Sequence, residues 1–266
     1  MNDLIAFLIN FALQMVFTLG FIFLFGKLIA VCNARFYKNF GTHAHAVCIA
    51  TGFIGTPIHE ASHALMCLVF GHKINEIKFF QPNSSDGTLG YVNHSYNPRN
   101  FYQLIGNFFI GIAPILIGSL LLGGLLYLLL PQLFTQIWSE IKAVDFVDDF
   151  GGAFVHLGEV FVIMFSYIGT WQWWVFILIG SFIGLHMTLS NADVKGALSG
   201  LLLFVFLFAI ADVVLLLISK SILSNFTNGV VFFGTFLLLL LCIFLIIAIV
   251  LIVLSWLICR FIMRRR

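Results

Sequence analysis

The residues best suited to chemistry form the segment His-Glu-Ala-Ser-His at positions 59–63, inside a hydrophobic run from about 46 to 70. On a helix, His59 and His63 lie on the same face one turn apart, close enough to share a metal ion. Glu60, beside the first histidine, can then act as the general base for a metal-bound water. Polar groups are costly in so apolar a segment and are usually functional there. The pattern therefore predicts a catalytic zinc site rather than a pair of hydrogen-bonded core histidines.

A catalytic zinc site needs a third protein ligand besides the two histidines. Asp193 is the best candidate, because it follows a later hydrophobic segment and falls at a similar membrane depth. The alternatives for Asp193 are a helix cap and an ion pair with Lys195. His186 precedes Asp193 by two helical turns and is an alternative ligand, an outer-shell hydrogen-bond donor or a packing residue. His94 is a further candidate that approaches the site from the segment after the zinc helix.

The segment after the predicted zinc helix has the pattern of a β-hairpin. Two β-rich runs, at 73–80 and 89–96, flank a turn rich in Asn, Ser, Asp and Gly at 82–87. Open strand edges cannot face lipid, so this hairpin must lie in the interface or line a polar cavity. Beside a metal site, its edge can bind an extended substrate by strand addition, and an ordinary cytoplasmic hairpin is the alternative. Asn107, in the next hydrophobic segment, is a candidate hydrogen-bond donor to substrate or to a reaction oxyanion, unless it only joins helices.

Composition places the chain in a membrane. Its 266 residues are 61% hydrophobic and 9% charged, with a mean hydropathy of +1.09, whereas soluble domains carry roughly a quarter charged residues. Segments long enough to cross a hydrocarbon core of about 30 Å lie at 4–31, 46–70, 101–130, 171–190, 197–219 and 230–262. The predicted fold class is an all-α polytopic membrane protein with about six transmembrane helices and a small β-hairpin after the HExxH helix. The apolar segment 153–169 is expected to be an interfacial or re-entrant helix, with a seventh span as the alternative.

The chain is predicted to form a single membrane domain over 1–266, with a catalytic core at about 46–200 and accessory spans at 1–45 and 197–266. The net charge of +2 does not support a nucleic-acid partner. The five cysteines fall in or beside the spans and form no CxxC pair. We expect them to pack among apolar side chains.

The basic residues at the end of the chain predict its orientation. Arg260 and the cluster Arg264–Arg266 lie just beyond the last span, which favours a cytoplasmic C-terminus. Counting back through six spans then puts residues 59–63 (the HEASH segment) and Asp193 toward the cytoplasmic side, whereas a seventh span would invert the helix that carries the HEASH segment.

Together these features resemble the site-2 protease family of intramembrane zinc metalloproteases, in particular its compact bacterial branch without a PDZ domain. The resemblance covers about 51–200 and rests on a HExxH motif in a transmembrane helix, a hairpin directly after it and a distal Asp on a later helix. It implies that the zinc ligands are His59, His63 and Asp193, that the general base is Glu60, and that the membrane is the bacterial cytoplasmic membrane. The chain departs from the family at the third motif, where Val rather than Gly follows the Asp and no Asn-x-x-Pro element precedes it.

The sequence therefore predicts an intramembrane zinc metalloendopeptidase that cleaves a transmembrane or membrane-associated peptide by zinc-activated water. One alternative is a non-proteolytic membrane protein, either a pseudoprotease scaffold or a transporter of metal or protons. The last two spans carry almost no polar residue besides Asp212, which disfavours a transport path. A zinc enzyme acting on a lipid or a small peptide is the other alternative.

Overall fold

In a computed structural model, the described residues are 3–85, 87–144, 146 and 149–261. They form helices α1 (Asp3–Met15), α2 (Phe21–Asn39), α3 (Ala44–Val69), α4 (Phe101–Leu129), α5 (Pro131–Ala143), α6 (Phe150–Ser166), α7 (Trp171–His186), α8 (Asn191–Ile218) and α9 (Lys220–Phe261), and strands β1 (Lys73–Lys78) and β2 (Tyr91–Ser95). The mostly helical class with a small hairpin after the HExxH helix is confirmed. Asp86 in the predicted turn and Arg264–Arg266 in the basic cluster lie outside the described residues.

Four helical segments of the described residues are long and apolar enough to cross a membrane. They are Asp3–Asn39, which joins α1 and α2 through a π-helical turn, and the helices α4, α8 and α9. A fifth is obtained if α6 and α7, bent by 116° at their junction, form one broken span. This bent pair contains the segment expected to be interfacial or re-entrant. The chain is thus membrane-embedded, while the count of six spans stays a prediction.

Helix α3 is long enough to cross a membrane but is not apolar enough to be among these segments, although the sequence predicted a span there. Its 26 residues include His45, His59, Glu60 and His63, which lower the mean hydropathy of an otherwise apolar helix. The polar residues that mark the site are thus the same residues that weaken the signal of a span. Glu60 and His63 are themselves 7% and 6% exposed, so neighbouring parts of the protein can keep them away from lipid.

Helix α4 stands at the centre of the molecule, packed along α8 and against α3. Phe108 of α4 stacks on Phe204 of α8 with ring centroids 4.5 Å apart. Gly200 allows the two backbones to approach, because a Cβ there would lie 2.6 Å from the carbonyl oxygen of Leu104. Small residues at helix crossings are the usual basis of close packing in membranes. Since α3 carries the HEASH segment and α8 carries Asp193, α4 holds the two parts of the site together.

A polar cluster joins α1, α8 and α9 away from the HEASH segment. Gln14 donates from Nε2 to Oδ1 of Asp212 at 3.0 Å and to Oγ1 of Thr227 at 2.8 Å. Gln14 and Asp212 are fully buried and Thr227 is 1% exposed. The sequence offered no partner for Asp212, and the structure supplies one from the first helix. Hydrogen bonds of this kind between membrane helices contribute about 0.6 kcal/mol each on average.

Strands β1 and β2 pair antiparallel, as predicted for the segment after α3. The register pairs Lys73 with Ser95 and Lys78 with Tyr91, with an irregularity between Ile74 and Glu76. Beyond the strands, the amide of Gln81 donates to the carbonyl oxygen of Leu89 at 2.7 Å, which extends the ladder toward the turn. The hairpin packs on α3, so that β2 lies beside the HEASH segment.

Candidate metal centre

Three side chains from two helices converge at the HEASH segment. Nε2 of His59 and Nε2 of His63 lie 3.1 Å apart. Asp193 of α8 approaches them with Oδ1 3.3 Å from Nε2 of His63 and Oδ2 3.8 Å from Nε2 of His59. Their ligand atoms all lie within 4.8 Å of one another. The structure thus brings together the three residues that the sequence singled out as metal ligands.

Both histidine rings are held by backbone carbonyl groups. Nδ1–H of His59 donates to the carbonyl oxygen of His186 at 2.7 Å, and Nδ1–H of His63 donates to that of Ile110 at 2.8 Å. A carbonyl oxygen can only accept, so the proton of each neutral ring is on Nδ1 and the lone pair is on Nε2. Metal-ligating histidines usually have this arrangement, in which the second nitrogen donates to an outer-shell acceptor.

These donor atoms fit a zinc ion. Two unprotonated nitrogens at 3.1 Å cannot hydrogen-bond to each other, and their lone pairs repel unless a cation or a proton lies between them. Two nitrogens bound to one zinc at 2.0–2.1 Å in tetrahedral geometry are about 3.3 Å apart. Two histidines and one carboxylate also form a ligand set of catalytic zinc, with one position left open. The residues present therefore match the metal that the sequence predicted.

Asp193 is positioned by the first turn of α8. Its Oδ2 accepts from the backbone N–H of Ser190 at 2.7 Å, and its own N–H donates to Oγ of Ser190 at 3.1 Å. This reciprocal pair is a capping box, which fixes the start of the helix. The sequence left a metal ligand and a helix cap as alternative roles for Asp193. The geometry accommodates both, because the cap uses Oδ2 and leaves Oδ1 directed at His63.

Glu60 lies beside the three converging side chains on the wall of a cavity of about 380 Å³. Glu60 is 7% exposed, and Gly90 of the hairpin segment lies against its side chain. A Cβ on Gly90 would lie 2.8 Å from Cγ of Glu60 and 2.9 Å from the Lys78 carbonyl oxygen, so only glycine permits this approach. The carboxylate is therefore confined to the same cavity as the candidate ligand atoms of His59, His63 and Asp193 and is shielded from bulk water.

His186 is not among the converging side chains. Its Nε2 lies 3.0 Å from Oγ1 of Thr51 and 3.2 Å from the hydroxyl of Tyr37, and its Nδ1 lies 3.3 Å from Oγ1 of Thr56. The contribution of His186 to the site is its backbone carbonyl group, which holds the His59 ring. Its ring anchors the end of α7 to α2 and α3.

His94 and Asn107 both line the cavity. The Nδ1 atom of His94 faces Nδ1 of His72 at 3.1 Å. Burial, with the nearby His72 and His63, lowers the pKa of His94 below its ordinary value, which favours the neutral ring. Asn107 is 4% exposed, and its Nδ2 has no hydrogen-bond partner among the described residues. A buried amide donor without a partner is costly, so it is available to a group entering the cavity.

Cys67 and His72 are residues that the sequence analysis missed. Together with His94 they form a second group whose ligand atoms lie within 4.8 Å of one another. One signal was present, because Cys67 follows His63 by four residues and continues the same face of α3. His72 carried no signal, since its position depends on how the chain turns after α3.

No family model matches the chain, and comparisons with curated proteins and with solved structures find no match. The resemblance to site-2 proteases therefore rests on the HExxH motif, the hairpin and the position of Asp193. The chemistry of the site is judged from its own donor atoms and their surroundings.

Gly111 of α4 is expected to be essential for placing Asp193. A Cβ at this position would collide with the carbonyl oxygen of Asp193 and lie 2.7 Å from Cβ of Ala197. Overpacking of this kind costs about 1–3 kcal/mol, and it would push α8, with Asp193, away from α4. We expect Gly111→Ala to lower zinc affinity about 10-fold or more, measured by competition with a chromogenic chelator. Gly124→Ala on the same helix, where nothing lies within 4 Å, serves as the control, and equal affinities in both variants would contradict the prediction.

Proposed function

We propose that the protein is a membrane-embedded zinc endopeptidase. The observation that carries the proposal is the convergence of His59, His63 and Asp193 on one point, with the Glu60 carboxylate in the same cavity. This set of two histidines, a third ligand and a neighbouring carboxylate is suited to metal-assisted hydrolysis. The long apolar helices of the chain support a membrane protein as the setting of this chemistry.

Several residues of the cavity have separate roles in the proposed reaction. A zinc ion held by His59, His63 and Asp193 would supply Lewis acidity and would lower the pKa of a bound water, so that it could act as a nucleophile at neutral pH. Glu60 takes the proton of the attacking water and returns it to the leaving amine nitrogen. Asn107 donates from Nδ2 to the oxygen of the scissile carbonyl group as negative charge develops on it. The His186 and Ile110 carbonyl groups keep the two histidine rings in the orientation that binds metal.

The hairpin supports a peptide as the substrate. Gly90, Tyr91 and Val92 line the cavity, so that the start of β2 borders the metal-binding atoms. In the two-stranded sheet of the described residues, β2 pairs only with β1. An extended peptide beside β2 gains main-chain hydrogen bonds and places a backbone carbonyl group near the cavity. A transmembrane substrate must therefore unwind locally before it is cleaved.

The proposal is tested by metal-dependent cleavage with the purified full-length protein in detergent. Dye-labelled casein is a suitable probe, because it is unstructured and needs no unwinding. We expect cleavage that is lost after zinc is removed with a chelator and is restored by added zinc. Cleavage that persists unchanged in the chelated protein would refute a zinc peptidase. Zinc binding without any cleavage would favour the non-proteolytic alternative.

Asn107→Ala is expected to lower cleavage about 10²-fold, the lower end of the effect of removing one oxyanion donor. Zinc content should stay unchanged, because Asn107 is not among the three converging ligands. The measurement is the rate of casein cleavage at equal zinc loading. Ser119→Ala, a buried polar residue of the same helix that does not line the cavity, provides the control. A rate for Asn107→Ala equal to that of the control would exclude a role in the reaction.

A further inference from the structure

Cys67, His72 and His94 form a second cluster of metal-ligating side chains next to the first site. Cys67 is fully buried near the end of α3, and His72, 4% exposed, follows the helix before β1. His94 is half-buried on β2. The Sγ atom and one nitrogen from each ring lie within 4.8 Å of one another. The cluster thus joins the end of the helix, the turn that follows it and the far strand of the hairpin.

The orientation of His72 is that of a metal ligand. Its Nε2–H donates to the carbonyl oxygen of Gln103 at 2.8 Å, which leaves the lone pair of the neutral ring on Nδ1. This Nδ1 is the atom that faces Nδ1 of His94 at 3.1 Å. The separation is close to the value of about 3.3 Å for two nitrogens bound to one zinc. In the first site, too, each histidine ring donates from its other nitrogen to a backbone carbonyl oxygen.

The surroundings of His72 are built to hold the ring. Gly106 of α4 makes room for it, since a Cβ there would lie 3.0 Å from Nε2 of His72 and 2.8 Å from Cγ of Phe70. The Tyr96 ring stacks on the His72 ring, with centroids 5.2 Å apart and planes 14° apart. The ring therefore has a fixed position between α4 and the hairpin before any ion binds.

We propose that Cys67, His72 and His94 form a second metal site, of the zinc class, that fastens the hairpin to α3. A thiolate and two imidazoles are typical ligands of Zn²⁺ in proteins. Cys67 lies one helical turn, about 6 Å along the axis, beyond His63. An ion at this site links β2 to the helix that carries the first metal site. The strand edge beside the cavity is thereby held in place. The proposal concerns binding of metal and does not depend on peptidase activity.

Cobalt provides a probe that tells the two sites apart, because only the second contains a thiolate. The full-length protein is stripped with a chelator, reloaded with Co²⁺ in detergent, and examined for cobalt content and for sulfur-to-cobalt charge-transfer absorption. We expect two cobalt ions per chain and the charge-transfer band. Asp193→Ala should lose one ion and retain the band. Cys67→Ser should lose one ion and the band.

Cys48→Ser is the matched control, since Cys48 is a partly buried cysteine on the same helix and lies outside the cluster. It should retain both ions and the band. If Cys67→Ser does not fold, His94→Ala on the hairpin replaces it as the test of the second site. This variant should lose the band at the same cobalt concentration. One cobalt ion without a thiolate band in the wild type overturns the second site, and so does a band that survives Cys67→Ser or His94→Ala. A wild type that binds two ions but does not cleave casein favours the non-proteolytic alternative and leaves the second site standing.

Discussion

Glu60→Gln is expected to lower cleavage of casein by about 10²–10⁴-fold, the usual contribution of a general acid–base group. Glutamine has nearly the same shape as glutamate, so the cavity and the packing under Gly90 should be retained. The amide carries no negative charge and cannot take a proton from water at neutral pH. Zinc content should be equal to that of the wild type, because Glu60 is not one of the converging ligands. The loss of rate with zinc retained separates the base from the ligands.

The control for this variant is Glu159→Gln, which makes the same chemical change on the exposed face of α6. It should cleave at the wild-type rate. Undiminished cleavage by Glu60→Gln would show that Glu60 is not the general base. Loss of zinc together with activity would instead place Glu60 in the metal coordination, and the assignment of its role would be wrong.

The second large effect is expected from the ligands themselves. His59→Ala and Asp193→Ala should each lower the zinc content by one equivalent per chain and abolish cleavage. Losing an outer-shell partner already costs about 10–100-fold in metal affinity, and losing one of three ligands costs more. Zinc content is measured by elemental analysis after gel filtration. His45→Ala removes an exposed histidine from the same helix and should change neither quantity.

Asp193 needs a further variant because it also caps α8. Asp193→Ala removes the cap, which costs about 1 kcal/mol, together with the metal ligand. Asp193→Asn keeps an oxygen that can accept from the Ser190 N–H and should fold as the wild type does while still losing zinc. If Asp193→Asn retains zinc at wild-type affinity, the third ligand is another residue. A lowered zinc affinity in Gly111→Ala would then reflect altered packing and not displacement of a metal ligand.

The sequence by itself determined the features that depend on local geometry. His59 and His63 share a face because four residues make about one helical turn, whatever surrounds the helix. The hairpin followed from two β-rich runs around a turn, and the membrane class followed from the scarcity of charge. Asp193 was singled out as the third ligand because it directly follows a later hydrophobic segment. None of these inferences required knowledge of which helices are neighbours.

Only the tertiary structure decided the features that depend on packing between segments distant in the chain. The carbonyl groups that fix the His63 and His59 rings belong to Ile110 and His186, which lie 47 and 127 residues from their partners. The grouping of Cys67, His72 and His94 arises because the chain reverses after α3 and β2 returns to it. Residue spacing determines which side chains share a face within one helix. It contains no information on which backbone meets that face, so the environment of the HEASH segment and the second cluster appear only once the helices are packed.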